Sequence, residues 1–487
     1  MGDVGVQHGP PAVGFLVAVP GQPGPKILVE HMIQPMSQAG RLPHQSNSKQ
    51  GDLPLNGIRM LQIYHRVPHP PRDGGVKAVL HHARTLVSLG AELKWYCLNP
   101  SRNAVDLRQV PSLLSESFGM VTRPLSSEAS FWAALQNLGS EIPYHLQRFW
   151  NRGAASDLLN LCAAWNPHVV LLEGLPMAIY MDLFRSSEVG DTSNSIPGGR
   201  SGGRIPVVYR SHNIEHEIIR QKAEQQPLAS PLGLWLRWEH WRMLRFEKSV
   251  LRKADAVLAI SPEDMPFVQK TAPQTRLMHW GYWSSENIKD GRDAGDVSPE
   301  PVDRDRLRKL CFIGTLDWGP NQDAVRWFLE SWLPELIRAE PKAVFHLAGR
   351  KAHHSFKSYL QVREQRHKGA FRFYGEVEDA SVFMHQCGIF VVPMRWGGGL
   401  KVKAVEAIQA GLVLIATPEG VRGLNLRPGE DYLQASNPHE FRMALHAVFS
   451  NPALAEAMTH SARTRLQEVM DPSAQKEDLV RLIQKLL

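Results

Sequence analysis

Cysteine is scarce, with Cys97, Cys162, Cys311 and Cys387 scattered through 487 residues and no CxxC pair among them. That argues against a zinc site and against a disulfide framework, and it fits a reducing cytoplasm. Long apolar runs are also missing. No stretch approaches the roughly 18 to 20 uninterrupted apolar residues of a membrane span, and "AVGFLVAVPG" near the start lacks a basic leader and is cut by Pro20, so neither a span nor a signal peptide is expected. No strong excess of one charge sign is present either: the net charge of +7 suits an anionic small molecule, an anionic membrane surface or nucleic acid, and does not choose among them. What is abundant is apolar material, 43% of residues against 21% charged, in a chain longer than one hydrophobic core normally serves. Two or more folded domains are expected.

Residues 1–56 are rich in Gly, Pro, Gln and Ser without an apolar period, and read as a flexible leader. From Ile58 the pattern changes. "IRMLQIYH", "AELKWYCL", "HVVLLEG", "PVVYRSHN" and "ADAVLAIS" are strand-like runs separated by helix-length segments, which predicts a parallel α/β sheet over 57–284. A Gly/Ser-rich stretch at about 188–204 reads as a mobile insertion, and the polar 285–306 as an interdomain linker. The alternation then restarts with "KLCFIGT", "AVFHLAG", "FRFYGEV", "GIFVVPM" and "LVLIAT", a second α/β sheet over 307–465. The remaining 466–487 read as a C-terminal helix packing back towards the first domain.

Within the second half, "RWGGGLKVKAVEAIQAG" reads as loop and helix after a strand, with Gly411 as the stop. Glycines let a backbone approach a ligand closely, and a helix N-terminus favours an anion, commonly a phosphate. Lys401 and Lys403 would add full charge, and Glu406, at the edge of the stripe formed by Val402, Val405 and Ile408, could accept from a pair of sugar hydroxyls. The bland reading is a tight turn and then a Lys403/Glu406 surface ion pair. A second glycine pair, Gly74-Gly75, joins the first strand to its helix where doubly wound folds bind ligands, and is otherwise a turn. In "RSHNIEHE", His212 is expected at a strand's C-terminal end facing the crevice. His216 lies four residues on, but the order is not HExxH and no third ligand is evident, so no metal site is expected. The aromatic and basic "LWLRWEHWRMLRFEKSVLRKAD", Leu234–Asp255, could be a membrane-surface helix, and core packing is the preferred reading.

"RSHNIEHE", "FIGTLDWGPNQDAVRWF", "VVPMRWGGGLKVKAVEAIQAG" and "TPEGVRGL", in this order, resemble glycosyltransferase family 4, over roughly Ile58 to Glu468. The likeness is to a bacterial branch in which "DW-PN" precedes "GGG", a basic pair and an "EA" helix. The resemblance implies a GT-B architecture, two Rossmann-like doubly wound parallel-sheet domains facing a cleft. It implies transfer of a sugar, with retention and without a metal or other cofactor, from a nucleotide-diphosphate sugar to a polysaccharide or lipid-linked acceptor. The protein would then be cytoplasmic, with peripheral contact to an anionic membrane and no nucleic-acid partner. On this likeness His212 faces the donor sugar, Lys401 and Lys403 the diphosphate, and Glu406 the ribose, with His212, Lys401 and Glu406 as the catalytic set. Gly74, Gly75, Gly314, Asn321, Gly398, Gly399, Glu419 and Gly420 complete the donor site. Gly398 stands where the family has the first of two glutamates, and Asn321 near a diphosphate-binding lysine. A GT-B nucleotide-sugar epimerase, or a binding protein that has lost catalysis, would share the same motifs.

Overall fold

The computed structural model describes residues 53–111, 119–126, 128–185, 204–282 and 304–487. Seven parallel strands form the first sheet: β1 (Arg59–Tyr64), β2 (Glu92–Pro100), β3 (Val121–Leu125), β4 (Val169–Glu173), β5 (Val207–Ser211), β6 (Ala256–Ala259) and β7 (Arg276–His279). Their order is β3-β2-β1-β4-β5-β6-β7, so the direction of winding reverses between β1 and β4. The second sheet holds β8 (Lys309–Ile313), β9 (Val344–Ala348), β10 (Phe371–Gly375), β11 (Ile389–Val392), β12 (Val413–Ala416) and β13 (Leu433–Gln434), ordered β10-β9-β8-β11-β12-β13 and reversing between β8 and β11. Each reversal opens a crevice at the strands' C-terminal ends, which is where doubly wound sheets bind ligands. This is a GT-B architecture.

The central strands are buried along their whole length, as in β4, β5, β6, β11 and β12, because helices cover both faces. The helices that bear on the site and on the joining of the two halves are α1 (Gly74–Ser88), α2 (Phe131–Gln136), α3 (Glu215–Glu224), α4 (Pro231–Lys253), α5 (Gly319–Trp327), α6 (Val402–Gln409), α7 (Pro452–Val469) and α8 (Pro472–Gln484). Ala462 and Leu466 of α7 pack with the second sheet, whereas Leu479, Leu482 and Ile483 of α8 lie in the core formed by Met60, Leu93 and Val169 of the first. The chain therefore finishes on the domain where it began.

Three features depart from the sequence reading. Leu55, placed in the leader, is fully buried in the first core, and its N–H donates to the Leu89 carbonyl at 2.9 Å, so folded structure begins before Gly57. Residues 1–52 of the leader, nearly all of the 188–204 insertion and most of the 285–306 linker lie outside the described residues. The strands β3, β7 and β13 went unread. β3 and β7 are sheet edges without a buried run, one carrying Pro124, and β13 is two residues long. Finally, α4 is not wholly core. It buries Leu236, Met243, Val250 and Leu251 but leaves Leu234, Trp238 and Trp241 exposed. A helix with apolar residues on both faces does not reveal by spacing which face is covered.

Candidate active site

The two crevices meet in a cleft of about 410 Å³. The first half contributes Arg72, Asp73, Gly74 and Lys77 from the β1–α1 loop and the first turn of α1. The second contributes Gly314 after β8, Asn321 on α5, Arg350 after β9, Glu376 after β10, and Gly398, Lys401, Lys403 and Glu406 after β11.

The loop between β11 and α6 is built by its glycines. Gly397 and Gly399 have φ of +140° and +61°, values that L side chains rarely adopt. A Cβ on Gly399 would stand 2.6 Å from the His212 carbonyl, and one on Gly398 2.7 Å from Ile218 Cδ1. The first half of the molecule thus occupies the space that a side chain at 398 would need, a physical reason for glycine at this position. Gly74 is pressed equally closely, since its Cβ would meet Val402 Cβ at 2.7 Å. The Gln221 side chain accepts from the Gly397 N–H at 2.8 Å, fixing the loop to α3.

Lys401 sits at the N-cap of α6, and its ammonium is engaged: Nζ donates to Glu419 at 3.0 Å and to the carbonyls of Gly399 and Gly398 at 3.1 and 3.3 Å. Burial lowers its pKa against the opposing pull of Glu419. Lys403 differs. Its Nζ donates to Asn321 Oδ1 at 2.5 Å and lies 4.3 Å from the centre of the Phe312 ring. Burial and then the charge of Lys401 push its pKa down to about 7, with no offsetting carboxylate among the described residues. Asn321 in turn donates to the Thr315 carbonyl at 2.8 Å, so it orients the lysine.

Glu406 does not act as a simple helix-surface group. It receives Lys77 Nζ from the opposite half at 2.5 Å. A second cross-cleft contact joins Asp73, which caps α1 through the Val76 N–H, to Arg350 at 2.7 Å and to Arg66 in a two-pronged pair at 2.7 and 2.9 Å. Burial alone would raise the Asp73 pKa, but Arg66, the Val76 N–H and Arg350 together hold it below the usual carboxylate range.

Of the residues named from sequence, Gly74, Gly314, Asn321, Gly398, Lys401, Lys403 and Glu406 line the cleft, while Gly75, His212, Gly399, Glu419 and Gly420 are not among its lining residues. Gly75 lies against Arg66 and Asp73, and Gly420 lets its turn pack on the Val392 carbonyl, 2.4 Å from where a Cβ would be. Glu419 serves Lys401. His212 Nε2 donates to Glu173 Oε2 at 2.7 Å, and Glu173 also accepts from Arg210 at 2.8 Å and Gln62 at 2.6 Å. Burial keeps His212 neutral, and the ionised Glu173 holds the proton on Nε2, leaving Nδ1 as an acceptor. His216 pairs with a different carboxylate, Glu247, at 2.6 Å, so the two histidines do not share a ligand. Among the described residues no group of three His, Cys, Asp or Glu is placed to hold a metal ion. Sequence reasoning missed Lys77, Asp73, Arg350 and Glu173. Lys77 lay in the glycine-bearing run "PPRDGGVKAV", and Arg350 and Glu173 follow or end strands, but their partners are distant in the chain.

Comparison with known structures places the fold among glycosyltransferases of the GT-B type. Sucrose-phosphate synthase from Thermosynechococcus elongatus superposes with a TM-score of 0.60 at 15% identity, covering 88% of this chain and 99% of that one. HepE from Anabaena, in complex with UDP-glucose, gives 0.56 at 12%, with 88% and 99% covered. TarM of S. aureus, in complex with fondaparinux, alpha-GlcNAc-glycerol and UDP, gives 0.57 at 8%, with 88% and 99% covered. In sequence, residues 308–451, the segment carrying the second sheet, match the family model described as Glycosyl transferases group 1. No curated protein matches the chain in sequence.

Proposed function

We propose that this protein is a retaining glycosyltransferase that moves a sugar from a nucleotide-diphosphate sugar to a polysaccharide or lipid-linked glycan acceptor at the cytoplasmic face of a membrane. The observation that carries the reading is that the cleft brings together Lys403, a half-buried lysine whose ammonium has no carboxylate partner among the described residues, and Glu406 one turn further along α6, after a glycine loop. Breaking the bond between an anomeric carbon and a diphosphate builds negative charge on the leaving oxygen. On this reading Lys403 and the N-terminus of α6 stabilise that charge, without a metal. Glu406 would accept from the ribose hydroxyls once released by Lys77, whose freed ammonium remains beside the phosphates. Lys401 is assigned a supporting part, holding the Gly398–Gly399 loop against Glu419, and His212 Nδ1 the part of an acceptor towards the donor sugar. The family-model match over the second sheet and the nucleotides named with HepE and TarM support the same direction.

The test is thermal-shift binding with UDP, GDP and ADP and their sugars, on the wild type and on Lys403→Met and Glu406→Ala. Ligand binding to the folded state raises the melting temperature with ligand concentration over Kd. A shift for one nucleotide that both variants lose supports the reading, and absence of a shift with every nucleotide sinks it. Isomerisation of the bound nucleotide sugar without any acceptor would assign an epimerase instead.

A further inference from the structure

Helix α4 has two faces with different company. Its inner face carries the buried Glu239 and Glu247, the latter accepting from the backbone N–H groups of Glu215 and His216 at the start of α3. α3 comes directly after His212 and holds the glycine loop through Gln221. The outer face presents Leu234, Trp238, Trp241, Arg245, Lys248 and Arg252, spaced by alternate steps of four and three residues, which is one continuous stripe along a helix. Leu234 is 58% exposed, Trp238 42% and Trp241 45%, and Arg245 lies over the Trp241 ring at 4.7 Å. Both acids of α4 being buried, every charged side chain of this helix that reaches solvent is basic. The stripe therefore runs from an aromatic and apolar half to a cationic half.

A second element extends the apolar half. On α2 and the turn after it, Phe131 is 76% exposed, Trp132 70% and Leu135 47%, and Leu138 lines the same groove of about 600 Å³ as Trp238 and Trp241. The groove is held in shape by the buried Arg242 of α4, which donates to the carbonyls of Asn137, Ser140 and Ile142 at 3.0, 2.7 and 2.6 Å. Glu128 before α2 is an exposed acid, as is Glu141, which lines the groove; Asp182, which also lines it, is paired with Lys253 at 2.8 Å. Isolated exposed apolar residues need no explanation, but a groove lined by Trp238, Trp241 and Leu138, with Phe131, Trp132 and Leu135 exposed on the helix that leads into it, does.

We propose that the α2–α4 face docks the protein on an anionic lipid bilayer, with Phe131, Trp132, Trp238 and Trp241 entering the headgroup boundary and Arg245, Lys248 and Arg252 pairing with acidic headgroups. Tryptophan is the side chain that best tolerates the boundary between water and acyl chains, and a surface helix bearing it beside basic residues gains from apolar burial and from charge together. The opposite face of the same helix positions α3 and, through it, the glycine loop, so docking fixes the orientation of the cleft relative to the membrane. This deepens the proposed function, resting on its membrane-borne acceptor. The vesicle measurement needs neither donor nor turnover, so the two can fail separately.

The experiment is co-sedimentation of the full chain with neutral phosphatidylcholine vesicles and with vesicles containing phosphatidylglycerol. Variants are Trp238→Ser/Trp241→Ser and Arg245→Glu/Arg252→Glu, each checked for an unchanged melting temperature and an unchanged nucleotide shift. The wild type should bind the anionic vesicles and not the neutral ones, and lose binding as salt rises. Each basic residue removed from an anionic surface weakens partitioning about fivefold, so the charge-reversed pair should lower it by about 25-fold or more, and the tryptophan pair should abolish sedimentation at any salt. Failure to bind either vesicle overturns the proposal. So does binding that neither variant alters, or a concentration-dependent dimer that the tryptophan pair abolishes, which would assign the face to a second copy of the chain.

Discussion

Replacing Lys403 with methionine should abolish a proton that otherwise accompanies nucleoside-diphosphate binding. In the free protein burial and the neighbouring Lys401 charge put the Lys403 pKa at about 7. A bound diphosphate supplies the missing counter-charge and returns the ammonium towards the ordinary lysine value of about 10.4. At pH 8 the free lysine is then about one-tenth protonated and the bound one almost fully so, an uptake of about 0.9 proton, falling to about 0.1 at pH 6. The phosphate's own second pKa of about 6 leaves it ionised at the higher pH. The assay is titration calorimetry with UDP at pH 8 in Tris and in HEPES, whose different ionisation enthalpies report the proton count. Affinity should also weaken about tenfold per unit, about 1.4 kcal/mol, between pH 7 and 9. In the ligand-free protein the sign reverses: the unfolded chain binds the extra proton between pH 7 and 10, so Lys403 makes stability rise with pH over that window. Tight binding with no proton uptake at pH 8, or uptake that survives in Lys403→Met, would refute the placement of the phosphates at this lysine.

Three further outcomes are expected from the same geometry. Arg210→Met leaves Glu173 buried with its strongest partner gone; loss of one member of a buried pair costs about 3–5 kcal/mol, to be read as a lower melting temperature whether or not nucleotide is present. Gly399→Ala strains a backbone at φ +61° and drives its Cβ towards the His212 carbonyl, so nucleotide affinity should drop far more than with Gly398→Ala, where the obstruction is the movable end of Ile218. Equal, small effects of both would show that the loop relaxes freely. Lys77→Met removes the cation that occupies Glu406, and if the ribose competes with Lys77 for that carboxylate, a nucleoside lacking phosphates should bind more tightly to the variant while the diphosphate gains less or loses. An unchanged ratio between the two ligands would separate Lys77 from the site.

Much of the architecture was legible because its signals are local. Ten of the strands announce themselves as short apolar runs between helical periods, and the glycine loop ahead of Lys401 declares a turn into a helix within seventeen residues of sequence. The edge strands β3, β7 and β13 did not, since a strand with few buried side chains is defined by its hydrogen-bonded neighbour. The site was half legible for a related reason. Residue type at the N-terminus of α6 pointed to the glycines, Lys401, Lys403 and Glu406, and Gly398 and these three do line the cleft, whereas Glu419 and Gly420, expected only from the family resemblance, do not. Both lysines line the cleft, and the structure separates them by their partners: Lys401 holds the loop and pairs with Glu419, whereas Lys403 has no carboxylate offsetting its charge among the described residues.

Local pattern is enough to set the alternation of strand and helix, the division into two sheets, and the chemical kind of the residues at the turn into α6, because backbone sterics and apolar periodicity act over a few residues. It does not set who meets whom. Lys77 and Glu406 are 329 positions apart, Asp73 and Arg350 are 277 apart, and Ile218 fills the place beside Gly398, so these contacts exist only once the two halves have folded and met. Burial is settled at that stage as well. The periodicity of α4 fits either of its faces to a core, and only the packing of Met243, Val250 and Leu251 against the first sheet leaves Trp238 and Trp241 outside. Pairing and burial are properties of the folded surface, which no local run of residues contains.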